Sequence, residues 1–199
     1  QITDAAISSV VPRLTPLYME SINNIFHTDA LVISHENAGV VLDVESPNEV
    51  GADRICNTAA TTKLIGCPAV VGDIGSATNY DVVNETGVFI GGAIAPGMET
   101  AARNLFEKAA LLKEAAFTVP TSAIGRDTAT NLQSGIMLGA IDLIDGMFSR
   151  IQSETGWKKS HRIITGGFGE LISPHLKTKH TLIPNLTLDG IRIIYEKSS

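Results

Sequence analysis

The chain has 199 residues, 44% hydrophobic and 18% charged, so it can bury a core of ordinary size and is not disordered. Its 21 acidic and 15 basic residues give a formal net charge of -6, which argues against a nucleic-acid partner. No apolar run approaches the roughly 20 residues that span a bilayer, and residues 1–11 do not read as a signal peptide. We therefore expect a cytoplasmic protein that binds neither nucleic acid nor membrane.

The cysteines and histidines do not predict a metal site. Cys56 and Cys67 lack CxxC spacing and belong to no dense cysteine framework, so we expect reduced, partly buried thiols rather than a disulfide or a zinc site. The five histidines are scattered and show no HExxH pattern. We assign them no catalytic role.

The first third of the chain alternates short strands with helices. An apolar, β-branched run that stops at Pro12 predicts a strand. Thr15 and Pro16 form an N-cap and first-turn pair, and an alanine-rich segment farther on has helix composition. The predicted elements are a strand at 5–11, a helix from Thr15 to about 26, strands at 31–33 and 40–44, and a helix at 53–64.

The middle of the chain predicts three strands in succession, at 69–73, 80–83 and 88–94. This meander is not the start of a Rossmann fold, in which a helix follows the glycine-rich turn. Gly135 and Gly139, in a long predicted helix, would let another helix approach closely, inside the subunit or across a dimer. The remaining predicted elements are helices at 98–112 and 127–153, a strand at 162–165, a helix at 168–176, a strand at 181–183 and a helix at 188–197.

The first candidate site is the hexapeptide from Asp73 to Thr78, at the bend of a predicted hairpin. Gly75 lets the backbone approach a ligand, and the Ser76 hydroxyl and exposed N–H groups can face phosphate oxygens. The Asp73 carboxylate, at a strand end, can hold a cation. The alternative is that these residues are simply turn formers.

The second candidate is Gly51-Ala52-Asp53-Arg54, where a loop enters a helix. Asp53 could be a general base for a substrate hydroxyl, and Arg54 could grip a carboxylate or phosphate. The alternative is that Asp53 caps the helix and Arg54 is solvated.

Two weaker candidates also lie at element boundaries. Thr165-Gly166-Gly167, between a strand and a helix, would let a nucleotide lie against backbone, although many such turns use glycine only for geometry. Arg126-Asp127-Thr128 starts the long helix, where Asp127 or Thr128 is expected to be the N-cap.

Taken in order, these segments resemble the type III pantothenate kinases, which phosphorylate pantothenate with ATP at the first step of coenzyme A synthesis. The similarity covers nearly the whole chain. The matching segments are SSVVP (8–12), PNEVGADR (47–54), VVGDIGSATNYDVV (70–83), GGAIAPG (91–97), IGRDT (124–128) with QSG (133–135), ITGG (164–167) and NLTLDG (185–190).

The resemblance implies a role for each matching residue. Gly51, Ala52, Asp53 and Arg54 would bind pantothenate, with Asp53 as the proton acceptor, and Thr128 would be a further substrate contact. Asp73 would be a ligand of a monovalent cation. Gly75 and Ser76 would contact ATP, and Thr165, Gly166 and Gly167 would form the loop on the adenosine side.

The resemblance also implies the fold and the partners. The fold would be α/β and actin-like, with two ribonuclease-H-like halves of mixed sheets flanked by helices. An incomplete N-terminal half would cover residues 1–66 and a C-terminal half residues 67–199. The enzyme would be a homodimer that uses ATP, a potassium or ammonium ion and a divalent cation such as Mg²⁺.

The sequence departs from the family pattern in two places. Ser76 and Asn79 stand where the family usually has threonine. The family's first phosphate loop, Asp-x-Gly-Asn-Thr or Ser, has no counterpart before Ser8, so the chain would start about a quarter of the way into the family pattern. We expect the 199 residues alone to be weakly active at most.

Three hypotheses follow from these residues. The first is a pantothenate kinase whose first phosphate loop precedes Gln1. The second is a non-catalytic binding or regulatory relative, and the third a different actin-like phosphotransferase or phosphatase, which the GADR segment disfavours. The kinase hypothesis requires the carboxylates of Asp53 and Asp73 to converge on one cleft, beside the acceptor alcohol and the nucleotide respectively.

Overall fold

The structure is a computed structural model that describes residues 2–108 and 117–198. It contains these helices and strands in chain order: β1 (Ala5–Ile7), α1 (Thr15–Phe26), β2 (Ala30–Val32), α2 (Ala52–Leu64), β3 (Ala69–Ile74), β4 (Ala77–Val83), β5 (Phe89–Pro96), α3 (Met98–Lys108), α4 (Thr128–Thr155), β6 (His161–Thr165), α5 (Gly169–Ile172), β7 (Thr181–Leu182) and α6 (Leu186–Ser198). Short 3-10 helices lie at Pro47–Glu49 and Ser173–His175.

Most predicted elements are confirmed, although the strand predicted at 5–11 is only the three-residue β1. The strand predicted at 40–44 is wrong, because only Leu42 forms an isolated bridge there, with Phe89. The helix predicted at 168–176 is the short α5 followed by a 3-10 turn that contains Pro174, a residue without an N–H. Thr15 is the first helical residue of α1 rather than its N-cap, which is Leu14. Residues 109–112 of the predicted helix at 98–112 lie outside the described residues.

The strands form two sheets. β1 and β2 pair in parallel, and the larger sheet has the order β5-β4-β3-β6-β7. The two-residue turn Gly75-Ser76 joins β3 to β4, and residues 84–88 join β4 to β5, so these three strands form an antiparallel meander. β6 and β7 pair in parallel, with Ile163 opposite Thr181. The larger sheet is therefore mixed.

The chain divides into two compact units. Unit 1 consists of Gln1–Ala69, Asp81–Gly91 and Asn185–Ser199, and unit 2 of Val70–Tyr80 and Gly92–Pro184. The two predicted ribonuclease-H-like halves, at 1–66 and 67–199, stay a prediction.

Unit 1 is built around the packing of α6 on α2. The buried face of α2 carries small and apolar side chains, among them Ile55, Cys56 and Ala59, which share a core with Ile33 and Ile194. Gly190 of α6 lies so close to α2 that a Cβ atom there would come within 2.1 Å of the Cys56 carbonyl oxygen. The absence of a side chain at this position sets the distance between the two helices.

Unit 2 is built around α4, whose buried residues form one stripe: Ser134, Met137, Ile141, Ile144, Phe148 and Ile151. Phe148 packs edge-on against Tyr80, with ring centroids 6.1 Å apart. A Cβ atom at Gly72 of β3 would lie 3.2 Å from the Phe148 ring, so this glycine lets the ring approach the strand closely. Gly135 and Gly139 lie on the exposed side of α4, where a built Cβ atom would meet no described atom within 4 Å apart from the adjoining residues and backbone of α4 itself.

We predict opposite effects for two glycine-to-alanine substitutions inside helices. Alanine favours a helix over glycine by about 1 kcal/mol, so Gly146→Ala, which meets nothing within 4 Å, raises the free energy of unfolding slightly. Gly190→Ala lowers that free energy by roughly 2–3 kcal/mol, because its methyl group clashes with the backbone of α2. Urea unfolding of both variants checks this. Equal stabilities would show that α6 does not approach α2 this closely.

Candidate functional site

The start of α3 holds the β3–β4 turn in place. The carbonyl oxygen of Ser76 accepts hydrogen bonds from the Gly97 N–H at 3.0 Å and from the Thr100 hydroxyl at 2.7 Å. A Cβ atom at Gly97 would lie 2.1 Å from the carbonyl oxygen of Gly75, so only glycine fits there. The turn is thus held rigidly by its backbone, while the Ser76 side chain is exposed. This arrangement favours a backbone that is preorganised for a ligand over an unconstrained turn.

The β6–α5 turn lies against the end of β3. Gly166 has a φ of +91°, and a Cβ atom there would lie 2.4 Å from Oδ1 of Asp73. The N–H of Phe168 donates to the Ile74 carbonyl oxygen at 2.9 Å. The structure therefore brings Asp73, Gly75, Ser76 and Gly166 to one edge of the sheet in unit 2. We call these four residues the turn cluster.

The other two residues predicted for the adenosine-side loop differ from Gly166 in exposure. The Thr165 side chain is buried, and its hydroxyl donates to the Pro184 carbonyl oxygen at 3.4 Å. Gly167 is exposed, with open space where a Cβ atom would lie. Since α5 has only four residues, its dipole adds little to anion binding at this turn.

In unit 1, the predicted substrate-binding block forms the start of α2. Gly51 is the N-cap residue, and Oδ1 of Asp53 accepts the backbone N–H of Arg54 at 2.8 Å. A Cβ atom at Gly51 would lie 2.5 Å from this same Oδ1, so glycine leaves room for the carboxylate to fold back over the helix start. Asp53 is half-buried and therefore reachable by a ligand. It satisfies one terminal N–H as a capping residue does, although it is not the N-cap.

Arg54 is not solvated, so the second half of the capping alternative is wrong. Its Nε–H donates to Oδ1 of Asp81 at 2.5 Å, and the side chains of the two residues are 14% and 0% exposed. Its guanidinium carbon lies 5.1 Å from the centroid of the Phe89 ring. Sequence reasoning did not single out Asp81, although an acidic residue inside an otherwise apolar strand was a usable signal.

Cys56 lies next to this block but cannot act as a nucleophile at neutral pH. Burial raises the pKa of its thiol to about 11, so the sulfur stays protonated. Cys56 is buried and Cys67 is half-buried, as predicted, and the reduced state of both thiols stays a prediction.

The start of α4 confirms a predicted N-cap. Oδ1 of Asp127 accepts the Thr130 N–H at 2.8 Å and the Thr130 hydroxyl at 2.9 Å, and these bonds hold the pKa of Asp127 below its usual value. Thr128 follows as the first helical residue and is exposed.

Thr128 lies at the rim of an apolar groove in unit 2, formed by α4 and α3 with the ends of β3, β4 and β5. The groove has a volume of about 490 Å³. Its polar lining comes from Thr78, Thr128 and Asn131, and its apolar lining includes Leu105, Ile136 and Leu143.

The predicted site residues thus fall into separate groups. Gly51 to Arg54 belong to unit 1, whereas the turn cluster, Thr165, Gly167 and Thr128 belong to unit 2. The convergence of Asp53 and Asp73 on one cleft stays a prediction. Within residues 2–108 and 117–198, no three His, Cys, Asp or Glu side chains group as a metal site. Over the same ranges, no helix is long and apolar enough to cross a bilayer.

Comparison with known proteins identifies similar chains. The model of the type III pantothenate kinase family matches residues 1–150. The chain is 41% identical to a type III pantothenate kinase of Thermomicrobium roseum, over 99% of this chain and 76% of that protein. It is 40% identical to one of Moorella thermoacetica, over 100% of this chain and 78% of that protein. The chain therefore spans about three quarters of the length of these relatives.

One solved structure supports the fold. A proposed Baf family transcriptional activator from Campylobacter jejuni superposes with a TM-score of 0.68 at 19% identity, over 99% of this chain and 84% of that protein. Identity this low bears on the fold alone. With the mixed sheet and its helices, it confirms the predicted α/β fold class.

We predict that the two neighbouring glycines of the β6–α5 turn respond differently to substitution. Gly166→Ala lowers the free energy of unfolding by roughly 2–4 kcal/mol, because its backbone conformation is strained for alanine and its methyl group meets Asp73 and Ile74. Gly167→Ala, which meets nothing within 4 Å, changes it by less than about 0.5 kcal/mol. Urea unfolding midpoints with unchanged slopes measure both values. A fully stable Gly166→Ala variant would contradict the packing of this turn on β3.

Proposed function

Because the chain belongs to the type III pantothenate kinase family, we propose that it transfers the γ-phosphoryl group of ATP to pantothenate. The product is 4'-phosphopantothenate, and the reaction is the first step of coenzyme A biosynthesis. The observation that carries the proposal is 41% identity to a type III pantothenate kinase over 99% of this chain.

Asp53 acts as the general base in this proposal. It accepts the proton of the pantothenate hydroxyl as the alcohol oxygen bonds to the γ-phosphorus and the bond from that phosphorus to the ADP oxygen breaks. Two features of unit 1 support the role: the carboxylate is half-buried, and Gly51 leaves space beside it. Arg54, at the same helix start, pairs with the pantothenate carboxylate.

The turn cluster receives the nucleotide. The Ser76 hydroxyl and the backbone of Gly75 and Ser76 face phosphate oxygens, and Thr165, Gly166 and Gly167 form the adenosine side. The tight support of the β3–β4 turn favours this role, because phosphoryl transfer mainly requires groups that are already in position.

Asp73 fits a cation site because its carboxylate offers the hard oxygen donors that potassium and Mg²⁺ prefer. A bound monovalent ion and Mg²⁺ would neutralise charge on the phosphates. Gly166 approaches this carboxylate so closely that it restricts where the oxygen atoms can point. The Gly166 backbone thereby limits the orientation of the Asp73 oxygen donors before any ion binds.

Thr128 is a further pantothenate contact in this proposal.

The proposed enzyme is a cytoplasmic homodimer. The apolar groove of unit 2 supports the presence of a second subunit on the α4 face, since Leu143 is 44% exposed there and the glycines Gly135 and Gly139 add no protruding side chains to this face.

We predict that protein expressed from the complete open reading frame releases ADP only when pantothenate is present together with potassium or ammonium. A coupled ADP-release assay measures this, with sodium as the matched monovalent control. Equal ATP consumption without pantothenate would eliminate the assignment.

We predict that Asp53→Asn lowers kcat by roughly 10²–10⁴-fold, because the amide cannot accept the proton. The fold remains, since the amide oxygen can still accept the Arg54 N–H. Glu49→Gln, an exposed acid-to-amide change four positions earlier, is the control and keeps the wild-type kcat. An unaltered kcat in Asp53→Asn would show that Asp53 serves only the helix start.

A further inference from the structure

Unit 1 contains a fully buried carboxylate that the proposed mechanism does not use. Asp81 lies in β4 and is the one charged side chain classed as buried among residues 2–108 and 117–198. Its Oδ1 atom accepts the Nε–H of Arg54 at 2.5 Å. The pair joins the strand to the first turn of α2.

Stability alone is a weak reason for such a pair. Removing a carboxylate and a guanidinium from water is costly, and apolar residues of similar volume often stabilise a protein as well or better. What a buried pair does provide is a fixed geometry, since the planar guanidinium and the carboxylate accept only a few mutual orientations.

A second contact restricts the position of the guanidinium. The Phe89 ring lies 5.1 Å from the guanidinium carbon and is itself 1% exposed. Both backbone groups of Phe89 are bonded to residues 41–43, because its N–H donates to the Val41 carbonyl and its carbonyl accepts the Asp43 N–H. The support of Arg54 is therefore rigid.

We propose that Asp81, assisted by Phe89, is a positioning residue that orients Arg54 toward the carboxylate of the acceptor substrate. The inference rests on the proposed function. A guanidinium carries several N–H donors, and engagement of Nε by Asp81 fixes the direction of the others. Asp81 thus affects substrate specificity through Arg54, without contacting the substrate.

The test compares two substrates in one variant. Asp81→Asn keeps the size of the side chain and removes its charge. The substrates are pantothenate and its neutral carboxamide analogue, with kcat/KM for each and KM for ATP measured on protein from the complete open reading frame. A partly unfolded sample lowers kcat for both substrates equally and leaves each KM unchanged, so the ratio of the two kcat/KM values reports orientation rather than folding.

We expect Asp81→Asn to raise KM for pantothenate on the order of tenfold, because a charge-assisted contact is misaligned. Its KM for ATP and its kcat/KM for the carboxamide change by less than about twofold. Glu85→Gln removes one negative charge from the exposed turn of the same hairpin and leaves all these values at the wild-type level. Phe89→Leu keeps most of the apolar volume but removes the ring face, and we expect it to cause a smaller rise in KM for pantothenate alone. This variant tests the inference if Asp81→Asn does not fold.

A pantothenate KM that is unchanged in Asp81→Asn and Phe89→Leu would overturn the inference, as would equal losses for pantothenate and the carboxamide. Either result leaves the kinase assignment intact, because wild-type turnover of pantothenate tests that separately. A wild-type protein that phosphorylates neither substrate would overturn the proposed function and this inference with it.

Discussion

Close approach of backbones is the constraint on which both units depend. At Gly190 the α6 backbone touches that of α2, at Gly97 the start of α3 touches the β3–β4 turn, and at Gly166 the β6–α5 turn touches Asp73. A built Cβ atom would lie within 2.1–2.4 Å of its neighbour in each case. These contacts leave no space for the loops to shift. The loops that carry the candidate nucleotide-binding residues are therefore held by the adjoining helices and strands rather than by their own side chains.

At the start of α2, an ion pair rather than a backbone contact holds the candidate residue Arg54. Most acidic residues in the described part of the chain remain at least partly hydrated, but the Asp81 side chain loses its hydration entirely where it pairs with Arg54. An arginine that is fixed before the substrate arrives loses less conformational freedom on binding, which improves affinity without any additional contact. In the proposed mechanism, the turn cluster and the support of Arg54 both meet one requirement of phosphoryl transfer, which is the positioning of the reacting groups.

Local pattern was sufficient for most of the secondary structure. The helix that begins at Met98 and the strands β3 and β5 were predicted from the sequence because helices and strands repeat their side-chain directions with fixed periods. Residues 40–44 have strand composition but make only the bridge from Leu42 to Phe89, since no further backbone pairs with them. Composition cannot reveal whether a neighbouring strand is available, and pairing decides such short segments.

From the sequence alone came the α/β class, the order of the elements and the family-like segments that hold Asp53, Asp73 and Ser76. Each of these depends on residues close together in the chain. The tertiary structure alone revealed the pairing of Arg54 with Asp81, 27 positions away, and the reasons why Gly97, Gly166 and Gly190 must be glycine. Such roles depend on which atoms from distant parts of the sequence lie beside a residue, and the local sequence pattern does not contain that information.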